Sequence, residues 1–179
     1  MATPAPNTRR AAHTDIERIM EIRHGVRENR LSDPNSVTAA DCAAFIAPAE
    51  MWVWTEDGRV QGFSAGDPSN GTIWALFVDP AFEGRGIGRT LLPLACATVR
   101  SAGYEMVRLN TAAGTRAERF YRMNGWDSVG VSYHQANRHP DCYRRFHREF
   151  LPLLSTFCCA VNRSFGANSN SFHWEELVP

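Results

Sequence analysis

The sequence has no excess charge of either sign. Its 19 Lys and Arg residues balance 19 Asp and Glu residues, so the formal net charge is zero. Bulk attraction to nucleic acid or to an anionic membrane therefore supplies no argument for either partner. Long hydrophobic runs are missing as well. No apolar segment approaches the roughly 20 residues that span a bilayer. The opening MATPAPNTRRAAHTDIERIM has arginines but no apolar h-region, which argues against a secretory signal. Cysteines are few: five, at 42, 96, 142, 158 and 159, in no regular framework. An odd count without an export signal favours reduced thiols and a cytoplasmic location. Cys158 and Cys159 are adjacent, a spacing that strains disulfide geometry. No internal repeat and no domain linker interrupts the chain.

What is present suits one α/β domain. A chain of 179 residues can bury a sizeable single core. NTRRAAH is a short strand candidate. Thr14 or Asp15 can cap the helix that follows, whose stripe of Ile16, Ile19, Met20, Ile22, Arg23 and Val26 runs to about Glu28. ENRLSDPNS is a turn-rich loop. Thr38 precedes a short helix, AADCAAFIA, that ends before Pro48. MWVWTEDGRVQGFSAG predicts a hairpin turning at Asp57-Gly58. GTIWALFV is a third strand, and its near-continuous apolarity predicts a central strand covered on both faces. A helix from about Gly86 to Ala102 carries Ile87, Leu91, Leu94, Ala95, Thr98 and Val99 on one side. Pro93 lies inside it and should bend its first turns, at a cost of up to ~3 kcal/mol. YEMVRLNT is a strand, TRAERFYRMNG a helix closed by Gly125, WDSVGVSYH a strand, and CYRRFHREF a last strand. The order predicts one mixed sheet with helices on its faces.

The stretch WALFVDPAFEGRGIGRTLL raises the functional question. An apolar strand stops at Asp79-Pro80, and a loop with Gly84, Gly86 and Gly88 leads into a helix. Glycines let successive N–H groups converge on one point, and the helix start adds unpaired N–H groups and the positive end of its dipole. Arg85 and Arg89 add full charges. A phosphate or pyrophosphate is the natural guest. The Walker pattern fails, because its first glycine would fall on Glu83 and its lysine on Arg89. The dinucleotide pattern fails too: Gly84 and Gly86 fit, but the third glycine falls on Arg89, and the loop follows the third strand of a meander. Glycine-rich turns also serve packing alone.

The flanking residues are more specific. VDPAFEGRGIGRTLL resembles the acyl-CoA-binding signature of the GNAT superfamily of N-acetyltransferases, with Val78, Pro80, Gly86, Gly88, Leu91 and Leu92 at the matching positions. Glu83 departs from the pattern, standing where Gln or Arg is usual. AERFYRMNGW, downstream and after a strand, is similar to the later helix-and-strand motif of the same family. The resemblance covers roughly residues 8 to 150. It implies a mixed, mostly antiparallel twisted sheet of six or seven strands, flanked by about four helices and splayed between the fourth and fifth strands.

The resemblance also implies acetyl-CoA as cosubstrate and direct attack of an amine on the thioester through a tetrahedral intermediate. Leu76, Phe77, Val78, Gly84, Arg85, Gly86, Ile87, Gly88, Arg89, Thr90, Asn110 and Tyr121 are the implied cofactor contacts. The pyrophosphate would sit on the amides of Arg85 to Arg89, and the pantetheine arm would pair with the strand edge of WALFV as an added strand does. An N–H near Phe77 or Val78 would polarise the thioester carbonyl. Tyr121 is implied as the acid that protonates the leaving thiolate. It also reads as a packing residue beside Phe120. Asn110 is both a candidate partner for the CoA arm and an ordinary strand-end residue. Acceptor recognition is implied for RHGVRENRLSDPNS and Trp74. Glu28 is the candidate base or amine anchor, with Asn29 beside it; a solvated helix-end charge is the other reading of Glu28. Trp52 and Trp54 share one face and can line a pocket or the core.

His134, His139, Cys142 and His147 match no common zinc spacing, so no metal is expected. The expected partner is a small-molecule amine, with no nucleic acid and no membrane. A homodimer through FLPLLSTF is a further candidate. Residues 1–150 are expected to form the acetyltransferase domain and 151–179 an appendage. The alternative function is a GNAT-like module that holds acyl-CoA without transfer.

Overall fold

The computed structural model describes residues 7–26, 37–134 and 141–150. Glu28, Asn29, His139 and the stretch 151–179 lie outside the described residues. The elements follow the expected order. They are β1 (Asn7–Arg10), α1 (Ile16–Gly25), α2 (Ala39–Ile46), β2 (Met51–Glu56), β3 (Arg59–Asp67), β4 (Thr72–Val78), α3 (Ile87–Ser101), β5 (Met106–Ala112), α4 (Arg116–Met123), β6 (Asp127–His134) and β7 (Asp141–Glu149). One sheet runs β1-β2-β3-β4-β5-β7-β6. Every neighbouring pair is antiparallel except β4–β5, which is parallel. No helix among the described residues is long and apolar enough to cross a membrane.

Local chemistry accounts for most boundaries. The β2–β3 turn has Asp57 at φ 52° and Gly58 at φ 75°. Two successive positive φ angles give the turn whose twist matches a hairpin. Thr38 and Asp41 cap α2 reciprocally: Thr38 Oγ1 accepts from the Asp41 N–H at 3.3 Å, and the Asp41 carboxylate accepts from the Thr38 N–H at 2.7 Å.

Asp15 behaves differently from the expected cap. It stands at the start of α1 but its carboxylate makes no cap bond there. It accepts from the Ala12 N–H at 2.8 Å and from both terminal nitrogens of Arg9 at 2.7 and 2.9 Å. The Arg9 hydrogen bonds, against the opposing effect of burial, hold the Asp15 carboxyl below its usual value. A depressed carboxyl contributes stability above its unfolded pKa of about 4 and loses it as pH falls through the lower folded value. Thermal melts from pH 6 down to pH 2 should therefore show a steeper acid decline for the wild type than for Asp15→Asn. Parallel declines would remove Asp15 from the acid transition.

Helices cover both faces. On one, Ile19 and Ile22 of α1 and Cys42 and Ile46 of α2 pack with Met51, Val53, Phe63 and Ala65. On the other, Leu92, Ala95, Cys96 and Val99 of α3 pack with Val107, Leu109, Tyr121, Trp126 and Phe146. Leu94 and Thr98, expected on the inner side of α3, are half-buried, and Leu92 and Cys96 take the buried places. α3 runs through Pro93 without interruption. Pro93 and Arg89 are both exposed, so the Arg89 carbonyl that lost its donor lies on the solvent side.

The strand covered on both faces is β3, not β4. Residues Val60 to Gly66 of β3 are all buried, whereas β4 alternates and then opens. The reason is a run of small residues. Gly62, Ser64 and Gly66 face α3: the Ser64 hydroxyl donates to the Leu91 carbonyl at 3.0 Å, and a Cβ on Gly66 would lie 2.3 Å from the Ala95 carbonyl oxygen. Close approach there presses α3 onto β3 and leaves β4 at the border of the packed region.

A cleft between two diverging strands

The β4–β5 pairing is confined to one end. The two strands match only at Thr72↔Arg108, where the Arg108 N–H also donates to the Gly71 carbonyl at 3.0 Å. Beyond that point β5 pairs with β7 on its other side, and the gap toward Val78 becomes a cleft of about 450 Å³. At the base of this gap the β3–β4 register slips by one residue, which makes Trp74 the extra residue of a bulge. The bulge turns Trp74 onto the α1/α2 face, where its ring stacks on Phe45 with centroids 4.4 Å apart.

The exposed edge of β4 follows from its ladder with β3. The Asp79 N–H donates to the Gln61 carbonyl at 2.8 Å, and the register holds from Gly62↔Val78 to Ala65↔Ala75. Antiparallel ladders repeat every second residue. The amides of Phe77 and Ala75 therefore serve β3, and those of Val78 and Leu76 point across the cleft. Of the two amides named from the sequence, Val78 is the one on the open edge. Arg18 fixes this end of the strand: it pairs with Asp79 and donates to the Val60 carbonyl at 3.0 Å and to Gln61 Oε1 at 3.2 Å.

The glycine loop closes one end. Gly84 has φ 77° and Gly86 φ 83°, both left-handed, so β-carbons are strongly disfavoured there. Gly86 is the N-cap of α3, and the first helical bond is Thr90 N–H to the Gly86 carbonyl at 3.2 Å. The amides of Ile87, Gly88 and Arg89 precede that bond and have no partner within the helix. Open amides at the start of a 15-residue helix are groups that can receive an anion.

Tyr121 stands on the inner wall, placed by the way its helix ends. Gly125, at φ 75°, donates to the Arg122 carbonyl at 3.2 Å, and Trp126 donates to the Tyr121 carbonyl at 3.1 Å. This pair of bonds is a Schellman cap, and its accompanying apolar contact is Trp126 edge-on to the Tyr121 ring at 5.7 Å. Phe146 packs at 6.0 Å. The sequence FYRMNGW thus encodes the position of its own tyrosine. Burial, and secondarily the neighbouring Cys96, hold the Tyr121 phenol above its ordinary value, so it stays protonated at neutral pH. Burial likewise pushes the Cys96 thiol up to about 12, which leaves it a thiol rather than a nucleophile.

Most of the residues singled out in the sequence meet here. Trp74, Leu76, Phe77, Val78, Gly84, Gly86, Ile87, Gly88, Arg89, Asn110 and Tyr121 all line the cleft. Asn110 does so from the other face of β5 than Leu109 and Thr111, since Val107, Leu109 and Thr111 alternate inward and Asn110 is exposed. Arg85 and Thr90 are not among the lining residues. Arg85 lies over the Phe82 ring at 4.6 Å and pairs with Glu56 at 3.7 Å, and the Thr90 hydroxyl turns back to the Gly86 carbonyl at 3.4 Å. Trp52 and Trp54 also lie elsewhere: they pair with Ser64 and Gly62 on the α3 face, and Arg10 stacks on Trp52 at 3.8 Å.

Two polar residues of the cleft, Thr111 and Arg116, were not anticipated. Thr111 is 1% exposed, lines the cleft, and its hydroxyl has no partner among the described residues. Its signal was a hydroxyl at an inward position of an alternating strand. Arg116 holds Glu83, and Glu83 is the only carboxylate lining the cleft among the described residues. Among those residues no group of three His, Cys, Asp or Glu is placed to hold a metal.

Comparison with known proteins agrees with this geometry. The chain is 31% identical to the mycothiol acetyltransferase of Beutenbergia cavernae over 90 residues, 47% of this chain and 30% of that protein. It is 26% identical to the mycothiol acetyltransferase of Propionibacterium freudenreichii over 152 residues, 77% of this chain and 48% of that protein. The chain therefore spans less than half the length of these curated relatives. The protein yncA of Salmonella typhimurium, solved with its cofactor acetyl-CoA, superposes with a TM-score of 0.67 at 20% identity, over 81% of this chain and 94% of that one. The profile of the acetyltransferase (GNAT) family matches residues 16–126, from α1 through the Schellman cap that seats Tyr121, and the chain belongs to that family.

Proposed function

We propose that this protein transfers an acetyl group from acetyl-CoA to a primary amine. One observation carries the proposal: the α3 amide cradle, the open Leu76 and Val78 amides and the Tyr121 side chain all face a single cleft. The cradle suits a pyrophosphate. The open edge of β4 suits the amide-bearing pantetheine arm. An N–H at the Val78 end would polarise the thioester carbonyl and stabilise its oxyanion, a role worth about 3–4 kcal/mol per donor in well-studied hydrolases.

The amine nitrogen attacks the thioester carbonyl carbon, forming a C–N bond. The tetrahedral intermediate then expels the CoA thiolate as the C–S bond breaks. Tyr121 gives its phenolic proton to that sulfur and is reprotonated from solvent. The amine's own proton leaves to water or to a carboxylate. Both oxygens of Glu83 accept from Arg116, so we assign amine anchoring to Glu28 and Asn29, with Trp74 as a wall of the acceptor pocket. The curated relatives are mycothiol acetyltransferases, and we carry this to the present chain as a preference for a small-molecule amine over a protein amine. Residues up to 150 form the catalytic domain in this proposal, and 151–179 form an appendage to it.

Calorimetric titration with acetyl-CoA tests the proposal, with ATP–Mg²⁺ and NAD as controls. Acetyl-CoA should bind at micromolar affinity and the controls should not. Gly86→Asp should weaken binding by at least about tenfold, because it puts a β-carbon at a left-handed φ and a negative charge at the cradle. An absence of acetyl-CoA binding would withdraw the assignment. Binding without thiol release across an amine panel would make the protein an acyl-CoA-holding module instead.

A further inference from the structure

Glu83 is the anomaly of the glycine loop. A carboxylate there lines the same cleft as the amides proposed for a pyrophosphate, and a like charge in that cleft weakens binding. The chain does not leave it bare. Arg116 Nη1 donates to Glu83 Oε2 at 2.6 Å and Nη2 to Oε1 at 3.1 Å. This two-point contact sets the planar guanidinium fork against the carboxylate. Both residues line the cleft. Glu83 belongs to the loop after β4, and Arg116 opens α4 after β5. The pair therefore joins the two strands' continuations across the wide end of the splay, and it ties the anion cradle to the helix that carries Tyr121. The nearer arginine in sequence, Arg85, is already engaged with Glu56 and the Phe82 ring.

We propose that the Glu83–Arg116 pair is a clasp for the cofactor. Arg116 cancels the carboxylate that would otherwise repel the pyrophosphate on the Ile87–Arg89 amides. Arg116 is thus a positioning residue, acting through Glu83 rather than by direct phosphate contact. This rests on the assignment of CoA to the cleft. As a partly exposed ion pair, with side-chain exposures of 55% and 35%, it adds little to the stability of the fold, so its variants should fold normally.

The test is calorimetric titration of the full chain with CoA and with dephospho-CoA, which keeps the pyrophosphate and lacks the 3′-phosphate. Arg116→Gln should raise the Kd for both ligands on the order of tenfold, because it bares Glu83. Glu83→Gln combined with Arg116→Gln should return both values to near wild type. That rescue would not follow from a merely structural role for either residue. Three results would overturn the clasp: an Arg116→Gln protein that binds like wild type, a double variant as weak as Arg116→Gln, or a loss seen with CoA and not with dephospho-CoA. The second would make Arg116 a direct phosphate ligand, and the third would place it at the 3′-phosphate. A wild-type chain that binds neither ligand would instead remove the assignment of CoA itself.

Discussion

Replacing Tyr121 by phenylalanine should lower kcat on the order of 10²-fold and leave acetyl-CoA affinity near wild type. The substitution keeps the ring and its contacts with Trp126 and Phe146, so the Schellman cap and the wall of the cleft persist. Only the hydroxyl is lost, and with it the proton proposed for the leaving thiolate. Because burial raises the phenol above its ordinary value, the acid form persists to high pH. The wild-type rate should therefore show no alkaline fall from this group below about pH 10. Steady-state assay of thiol release, paired with calorimetric Kd values, separates the two parameters. Equal rates for both proteins would retire Tyr121 as the acid. An equal loss in kcat and affinity would mark it as a wall residue of the cleft.

Gly66→Ala should be the most damaging single methyl addition in the β3–α3 interface. The new Cβ would lie 2.3 Å from the Ala95 carbonyl oxygen and 3.1 Å from Val99 Cγ2. The first of these is backbone in mid-helix, so relief requires α3 to move off the sheet. A loss of about 3 kcal/mol, the upper end of ordinary overpacking costs, is expected in urea unfolding. Movement of α3 would also displace the amides of Ile87 to Arg89, so acetyl-CoA affinity should fall with stability. Gly25→Ala is the matched control. Nothing lies within 4 Å of its added Cβ and its φ is not left-handed, so stability should hold or rise by about 0.5 kcal/mol. Similar losses at both sites would show that the small-residue run of β3 does not set the approach of α3.

The local parts of the site could be read from the chain because their causes are local. Gly84, Gly86 and the leucines after them specify a turn and a helix start within a few residues. Asp57-Gly58 specifies a hairpin in the same way. Gly125 and Trp126 close α4 and seat Tyr121 through bonds spanning three to five residues. Alternation along MVRLNTA separates Thr111 from Asn110, although it does not say which of them matters. Apolarity misled at β4. TIWALFV carries the same residue types whether they wall a cleft or fill a core, and burial depends on what lies opposite. Basic residues near the loop misled as well, since Arg85 belongs to Glu56 on β2.

By itself, then, the sequence determined the order of elements, the glycine turn and open amides at the start of α3, the cap that holds Tyr121, and the family. Each depends on hydrogen bonds and dihedral preferences among residues close along the chain, or on motifs made of such residues. Tertiary structure alone decided the rest. It made β3 the strand covered on both faces, turned the Val78 rather than the Phe77 amide to the open edge, and brought Arg116 to Glu83, 33 positions away. Those outcomes depend on how closely α3 packs on Gly62, Ser64 and Gly66 and on where β5 leaves β4 for β7. Such contacts are set by steric fit between distant segments, and no spacing along a single strand or helix contains that information.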